Sequence, residues 1–147
     1  MAEPTLYLFD GYNLLHASEL GSPEELVDRL AGFVALHGAR GIVVFDGAGD
    51  DAEHGPLQVR FAAHADRLLE RLAAEHRDGE RICLVSSDRD IRRTAGQEVT
   101  KRASKEFAAE LAKDDRRRRS ADAGSRIEDA LPSDVRDRLE EWRRRRP

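Results

Sequence analysis

Apolar positions in this chain fall into short continuous runs separated by amphipathic stretches. Leu6-Tyr7-Leu8-Phe9, Gly41 to Phe45 (GIVVF) and Arg81 to Ser86 (RICLVS) are the clearest runs and read as strands. Continuous rather than alternating runs are what strands buried on both faces of a parallel sheet require. Between them the spacing turns helical. Ser22-Pro23-Glu24-Glu25 carries the marks of a helix start, with Ser as cap, Pro at the first position and Glu reaching back. Leu26, Leu30, Phe33 and Val34 then recur at helical spacing, and Gly38 offers a stop. A second helix is expected from Ala62 to His76, with Ala65, Leu68, Leu69, Leu72 and Ala73 on one face. A third begins at Ser87-Asp88-Arg89-Asp90 and ends near Gly96. Ser104 can cap a fourth, from Lys105 to about Lys113. Val59-Arg60-Phe61 and Glu98-Val99-Thr100 read as very short strands, Asp10 to Asn13 as a break, and residues 47–58 as a loop. Strands alternating with helices predict a three-layer α/β/α fold around a central, mainly parallel sheet.

Beyond residue 113 the pattern changes. Asp114 to Arg126 is charged and rich in small residues, and reads as a linker or a fraying helix. Ser133 can cap a last helix, Asp134 to Arg146, carrying Leu139 and the only tryptophan, Trp142. The expected division is a domain over residues 1–113, followed by a charged linker and basic helix over residues 114–147. Net charge is −4, but it is unevenly spread. Residues 1–112 hold 13 Lys+Arg against 20 Asp+Glu, a net −7, and residues 113–147 hold 12 against 9, a net +3. An acidic body with a basic tail suggests a nucleic-acid or acidic-surface partner for Arg116, Arg117, Arg118, Arg119 and for Arg143, Arg144 and their neighbours. A solvated helix rich in i,i+4 pairs is the alternative.

The 147 residues suit one domain. No apolar run is long enough to span a membrane. The single cysteine, Cys83, excludes an intrachain disulfide and a metal-thiolate cluster. MAEPTLYLFDGYN lacks the basic flank and cleavage site of a signal peptide, so a cytoplasmic protein is expected.

The candidate chemistry lies in the acids. Asp10 follows the first strand directly, Asp46 follows the second, and Asp88 lies two residues past the strand ending at Ser86. Ligands of open parallel sheets bind outside the carboxyl ends of the strands. Asp66 and Glu70 share one helix face and can add to the cluster, while Asn13 can orient an acid or a phosphate. Gathered carboxylates repel one another, and a divalent cation removes that cost. All-oxygen donors favour a hard ion such as Mg2+. Each acid also has a plainer reading. Asp10-Gly11 and Asp46-Gly47 can be turns, Asp66 and Glu70 a solvated helix face, Asp90 a capping-box acid and Asn13 a local cap. Spacing alone does not separate a nuclease from a phosphatase or phosphotransferase.

The same segments resemble a known family. Leu8-Phe9-Asp10-Gly11-Tyr12-Asn13 is similar to the opening of NYN-domain proteins of the YacP-like group, within the PIN-like ribonucleases. Val43-Val44-Phe45-Asp46-Gly47, Ala65-Asp66-Arg67-Leu68-Leu69-Glu70 and Val85-Ser86-Ser87-Asp88-Arg89-Asp90 resemble the family's next motifs, in order. Ser104-Lys105-Glu106-Phe107 resembles its final serine-led helix. The resemblance covers residues 5–112. His64 departs from it, standing where a small or hydroxyl residue usually precedes the A-D pair, and the segment from Phe61 to Asp66 looks shortened. Leu69 replaces the usual Ile.

The resemblance implies an endoribonuclease that uses Mg2+ or Mn2+. Asp10, Asp66 and Asp88 would bind metal, Asp46 and Asp90 would be auxiliary acids, and Asn13 would organise the site. RNA, in a ribosome-associated setting or free, is the expected partner. A catalytically silent RNA- or ribosome-binding module on the same fold is the alternative. A small phosphatase ranks below both, because Tyr12 stands where a second acid would follow Asp10.

Overall fold

The structure is a computed structural model that describes residues 3–94 and 99–114, without the side chains of Asp90 and Thr94. The chain runs β1 (Leu6–Asp10), α1 (Gly11–Ala17), α2 (Pro23–Leu36), β2 (Arg40–Asp46), β3 (Ala52–His54), β4 (Leu57–Ala62), α3 (Ala65–His76), β5 (Ile82–Val85), α4 (Arg89–Thr94) and β6 (Thr100–Arg102). A further helix, α5, occupies residues 104–114. The strands form one sheet in the order β3-β4-β2-β1-β5-β6. Every pairing is parallel except the β3–β4 hairpin. Met1–Lys113 is one compact unit. Asp114, expected to open the linker, instead ends α5; the rest of the predicted linker and the last helix, with the tail arginines, lie outside the described residues. Among the described residues no helix is long and apolar enough to cross a membrane.

Parallel register sorts the side chains onto two faces. Leu6, Leu8, Ile42, Val44, Ile82 and Leu84 pack with Leu68, Leu69 and Leu72 of α3 and Ile91 of α4. Tyr7, Phe9, Val43, Phe45, Cys83 and Val85 pack with Leu26, Leu30 and Phe33 of α2 and Phe107 and Leu111 of α5. The three-layer α/β/α reading therefore holds, and β1 lies inside the sheet between β2 and β5 with both of its faces covered. Burial pushes the Cys83 thiol up to about 11, so it stays protonated at neutral pH.

The helix signals around α2 act as their chemistry demands. Ser22 Oγ accepts from the Glu25 N–H at 3.2 Å. Glu25 Oε2 accepts from the N–H of Gly21 at 2.9 Å, one residue earlier than in the usual reciprocal box. Gly38, at φ +64°, turns the chain out of the helix. Ser22→Ala is expected to cost about 1 kcal/mol in urea unfolding.

Four elements differ from expectation. The supposed break at Asp10–Asn13 opens α1, a single short helix anchored by Leu14. Gly11 makes this possible, since a Cβ there would lie 2.5 Å from Phe45 Cδ1 and 2.9 Å from the Val44 carbonyl. The loop over residues 47–58 contains β3, and β4 begins at Leu57 and runs longer than the short strand expected. All of β3 is exposed, so no apolar pattern marks it. The last strand is displaced to Thr100–Arg102, where Arg102 sits 5.3 Å from the Phe107 ring centroid and pairs with Glu110.

Candidate active site at the carboxyl ends of the strands

Asp10 ends the central strand β1 with its side chain on the α3 face. The β1–β5 pairing sets Phe9 opposite Val85, so the next residues, Asp10 and Ser86, are also neighbours. The fully buried Ser86 Oγ donates to Asp10 Oδ2 at 2.9 Å and accepts from the Asp88 N–H at 3.1 Å. One hydroxyl thus links the carboxylate at the end of β1 to the backbone that carries Asp88.

Asn13, on the first turns of α1, makes the second link. Its Oδ1 accepts from the Ser87 N–H at 3.0 Å and from the hydroxyl of Ser104 at 2.5 Å. The Ser104 N–H donates to Ser87 Oγ at 3.0 Å. Ser104 is fully buried at the start of α5. β1, α1, the β5–α4 loop and α5 therefore meet in one hydrogen-bonded cluster. Asn13 thus ties α1 to the β5–α4 loop and to α5. The sequence assigns the serines no site role, and Ser104 reads there as a cap that leads the final helix. The signal available was a pair of serines between an apolar strand and Asp88.

The electrostatics centre on Asp10. Burial pushes its carboxyl above the usual carboxylate range. The Ser86 hydroxyl lowers it, and the nearby charge of Asp88 raises it again. The Asn13 backbone N–H lowers it without closing a full cap hydrogen bond, and Asp46 raises it slightly. Asp88 and Asp46 are therefore close enough to act on Asp10, though both are exposed.

Asp46 has a further structural task. His64 stands at the N-cap of α3 and makes no side-chain cap bond. Asp46 Oδ1 accepts from the Ala65 N–H at 3.1 Å instead, supplying from β2 the acceptor that the helix lacks. This places the first turn of α3, with the exposed Asp66, on the same sheet edge. Glu70 is half-buried one turn later. The side chain of Asp90 and all the tail arginines lie outside the described residues.

Among the described residues, no three His, Cys, Asp or Glu side chains are gathered tightly enough to hold a metal ion as they stand. The donor chemistry still suits a hard divalent cation. Asp10, Asp88 and Asp66 offer only carboxylate oxygen, and Mg2+ commonly takes one or two carboxylates and completes its shell with water and substrate phosphate.

Residues 7–144 match the family model of the YacP-like NYN domain. The chain belongs to the YacP-like NYN family. That family is a PIN-like ribonuclease group. Among solved structures, the chain is similar to the crystal structure of Rae1 (YacP) from Bacillus subtilis, with 27% identity, a TM-score of 0.69 and 95% of each chain covered. A single-substitution mutant of the same Bacillus subtilis protein aligns with a TM-score of 0.63 and 28% identity, over 83% of this chain and 85% of that one. No functionally curated protein matches. The YacP-like identity fits the mixed, mostly parallel six-stranded sheet and the acids at its carboxyl edge.

Proposed function

We propose that this YacP-like protein is a divalent-metal-dependent endoribonuclease that acts on RNA with water as the nucleophile. The observation that carries the reading is Asp10. It is a half-buried carboxylate at the end of the central strand, held by Ser86 to the loop that bears Asp88. A carboxyl whose charge is opposed by burial and by like charges nearby is the arrangement expected of a functional site. Asp10 and Asp88 would hold Mg2+ or Mn2+, with Asp66 completing the set from α3. When bound, the cation supplies an activated water and a partner for charge developing on the phosphodiester.

The chain's own residues do the positioning. Ser86 fixes the rotamer of Asp10, and Asn13 holds the Ser87 backbone so that Asp88 stays in register with it. Asp46 fixes the start of α3, and with it Asp66. The tail arginines, from Arg116 to Arg119 and from Arg143 to Arg146, would supply the phosphate contacts that the acidic body lacks.

The expected result is endonucleolytic cleavage of end-labelled single-stranded RNA in Mg2+ or Mn2+, stopped by chelation. Mn2+ at about a hundred times its dissociation constant is also expected to stabilise the fold by about 2.7 kcal/mol. That gain should shrink in Asp88→Asn.

A silent RNA- or ribosome-binding module draws on one observation, the lack of three assembled ligands among the described residues. It predicts salt-sensitive RNA binding with no cleavage and no thermal response to Mn2+. Cleavage of small phosphate esters in preference to RNA would displace both readings.

A further inference from the structure

We infer that Tyr12 is a stacking platform for an unpaired RNA base beside the scissile phosphate, so that the substrate is single-stranded at that point. The inference rests on the ribonuclease reading above and deepens it.

Among the described residues, the large apolar side chains left exposed are Tyr12, at 37%, and Leu36, at 63%. They lie at opposite edges of the sheet. Leu36 ends α2, just before β2 begins, whereas Tyr12 is two residues past Asp10 at the carboxyl edge.

The Tyr12 ring is backed rather than loose. It meets Phe45 edge-on, with centroids 5.0 Å apart and planes at 67°. Phe45 stacks on Phe61 at 5.7 Å. Phe61 is covered in turn by the backbone at Gly49, where a Cβ would fall 2.8 Å from three of its ring atoms. Gly11 has no Cβ to hold α1 away from Phe45. Three rings in series therefore run from the loop after β2 to the rim of the site, and the last of them stays partly open to solvent.

A fixed, exposed ring beside a phosphodiester site suits a nucleobase. Every base has a π face, so stacking gives affinity without demanding sequence. Bases in an A-form duplex are already stacked on one another and are withheld from such a ring, whereas unpaired bases can splay onto it. Asn13, the next residue, is tied to Ser87 and Ser104, so a base held by Tyr12 is referenced to the same frame as Asp10.

The test uses the full chain carrying Asp10→Asn, so that the RNA is not consumed. A single-stranded RNA with one 2-aminopurine is titrated against it, and the matching duplex is titrated in parallel. Tyr12→Ala is expected to weaken single-strand binding about tenfold, within the range for one stacked base, and to abolish the 2-aminopurine quench. Tyr12→Phe keeps the ring and should restore both to within about twofold of the Tyr12 protein. Leu36→Ala should change neither. Unfolding curves for each variant show that the fold is retained. Tyr12→Ala binding as tightly as the Tyr12 protein, or losing duplex and single-strand affinity equally, would overturn the stacking role alone. No RNA binding or cleavage by the unsubstituted chain would overturn the ribonuclease reading and this inference with it.

Discussion

Asp10→Asn is expected to slow RNA cleavage by about a hundredfold or more, through loss of a metal-holding carboxylate, while making the metal-free protein more stable at neutral pH. The two effects share one cause. Burial and the charges of Asp88 and Asp46 hold the Asp10 carboxyl above 3.8, its ordinary value. The folded protein then binds the proton more tightly than the unfolded chain does. Stability must fall as pH rises from about 3.8 through the raised folded-state value, because the native state gives up its proton against resistance. Asparagine has nearly the same shape and no charge to desolvate. Its Oδ1 can still accept from Ser86, so the relay to Asp88 survives.

The gain from Asp10→Asn should thus be absent at about pH 3 and established at about pH 7. Urea unfolding in chelator at both values measures it, and end-labelled RNA measures the activity. A variant that cleaves as fast as its parent places the chemistry elsewhere. A variant that loses activity and stability together marks Asp10 as a structural residue.

That test separates function from folding because of how the site is built, and only part of that was legible in the sequence. The strands that place the acids were legible, since β1, β2 and β5 are continuous apolar runs and a buried parallel strand has no solvent face to alternate. The position of Asp10, Asp46 and Asp88 at one edge followed from that topology. The Ser86 relay did not, because it depends on which strands pair and in what register. Two residues 76 positions apart meet only once β1 lies beside β5. Asp46 was legible as an acid at a strand end, but its bond to Ala65 answers a defect elsewhere, a histidine where α3 needs an acceptor. The helix α1 and strand β3 are not legible for a different reason. One is a single seven-residue helix and the other three exposed residues, and neither is long enough to establish a period.

The serine-led helix gives the second large effect. Phe107→Ala is expected to cost about 3–5 kcal/mol, a large part of the stability of a domain this size. Phe107 is fully buried, with the rings of Phe33, Phe9 and Tyr7 at 4.9, 5.3 and 6.2 Å and the Arg102 guanidinium on it at 5.3 Å. Truncation removes the ring that α5 presses into the sheet and leaves a cavity that four anchored neighbours cannot collapse to fill. The consequence reaches the site, because Ser104 opens the same helix and bonds to Asn13 and Ser87. A loosened α5 frees the β5–α4 loop, so cleavage should fall under conditions where Phe107→Ala is still folded. Phe107→Leu fills more of the space and should lose less on both counts. A loss below about 1 kcal/mol in urea would mean that α5 is not held by this ring. Normal cleavage by a Phe107→Ala protein that is measurably destabilised would mean that the serine cluster keeps its geometry without the core beneath it.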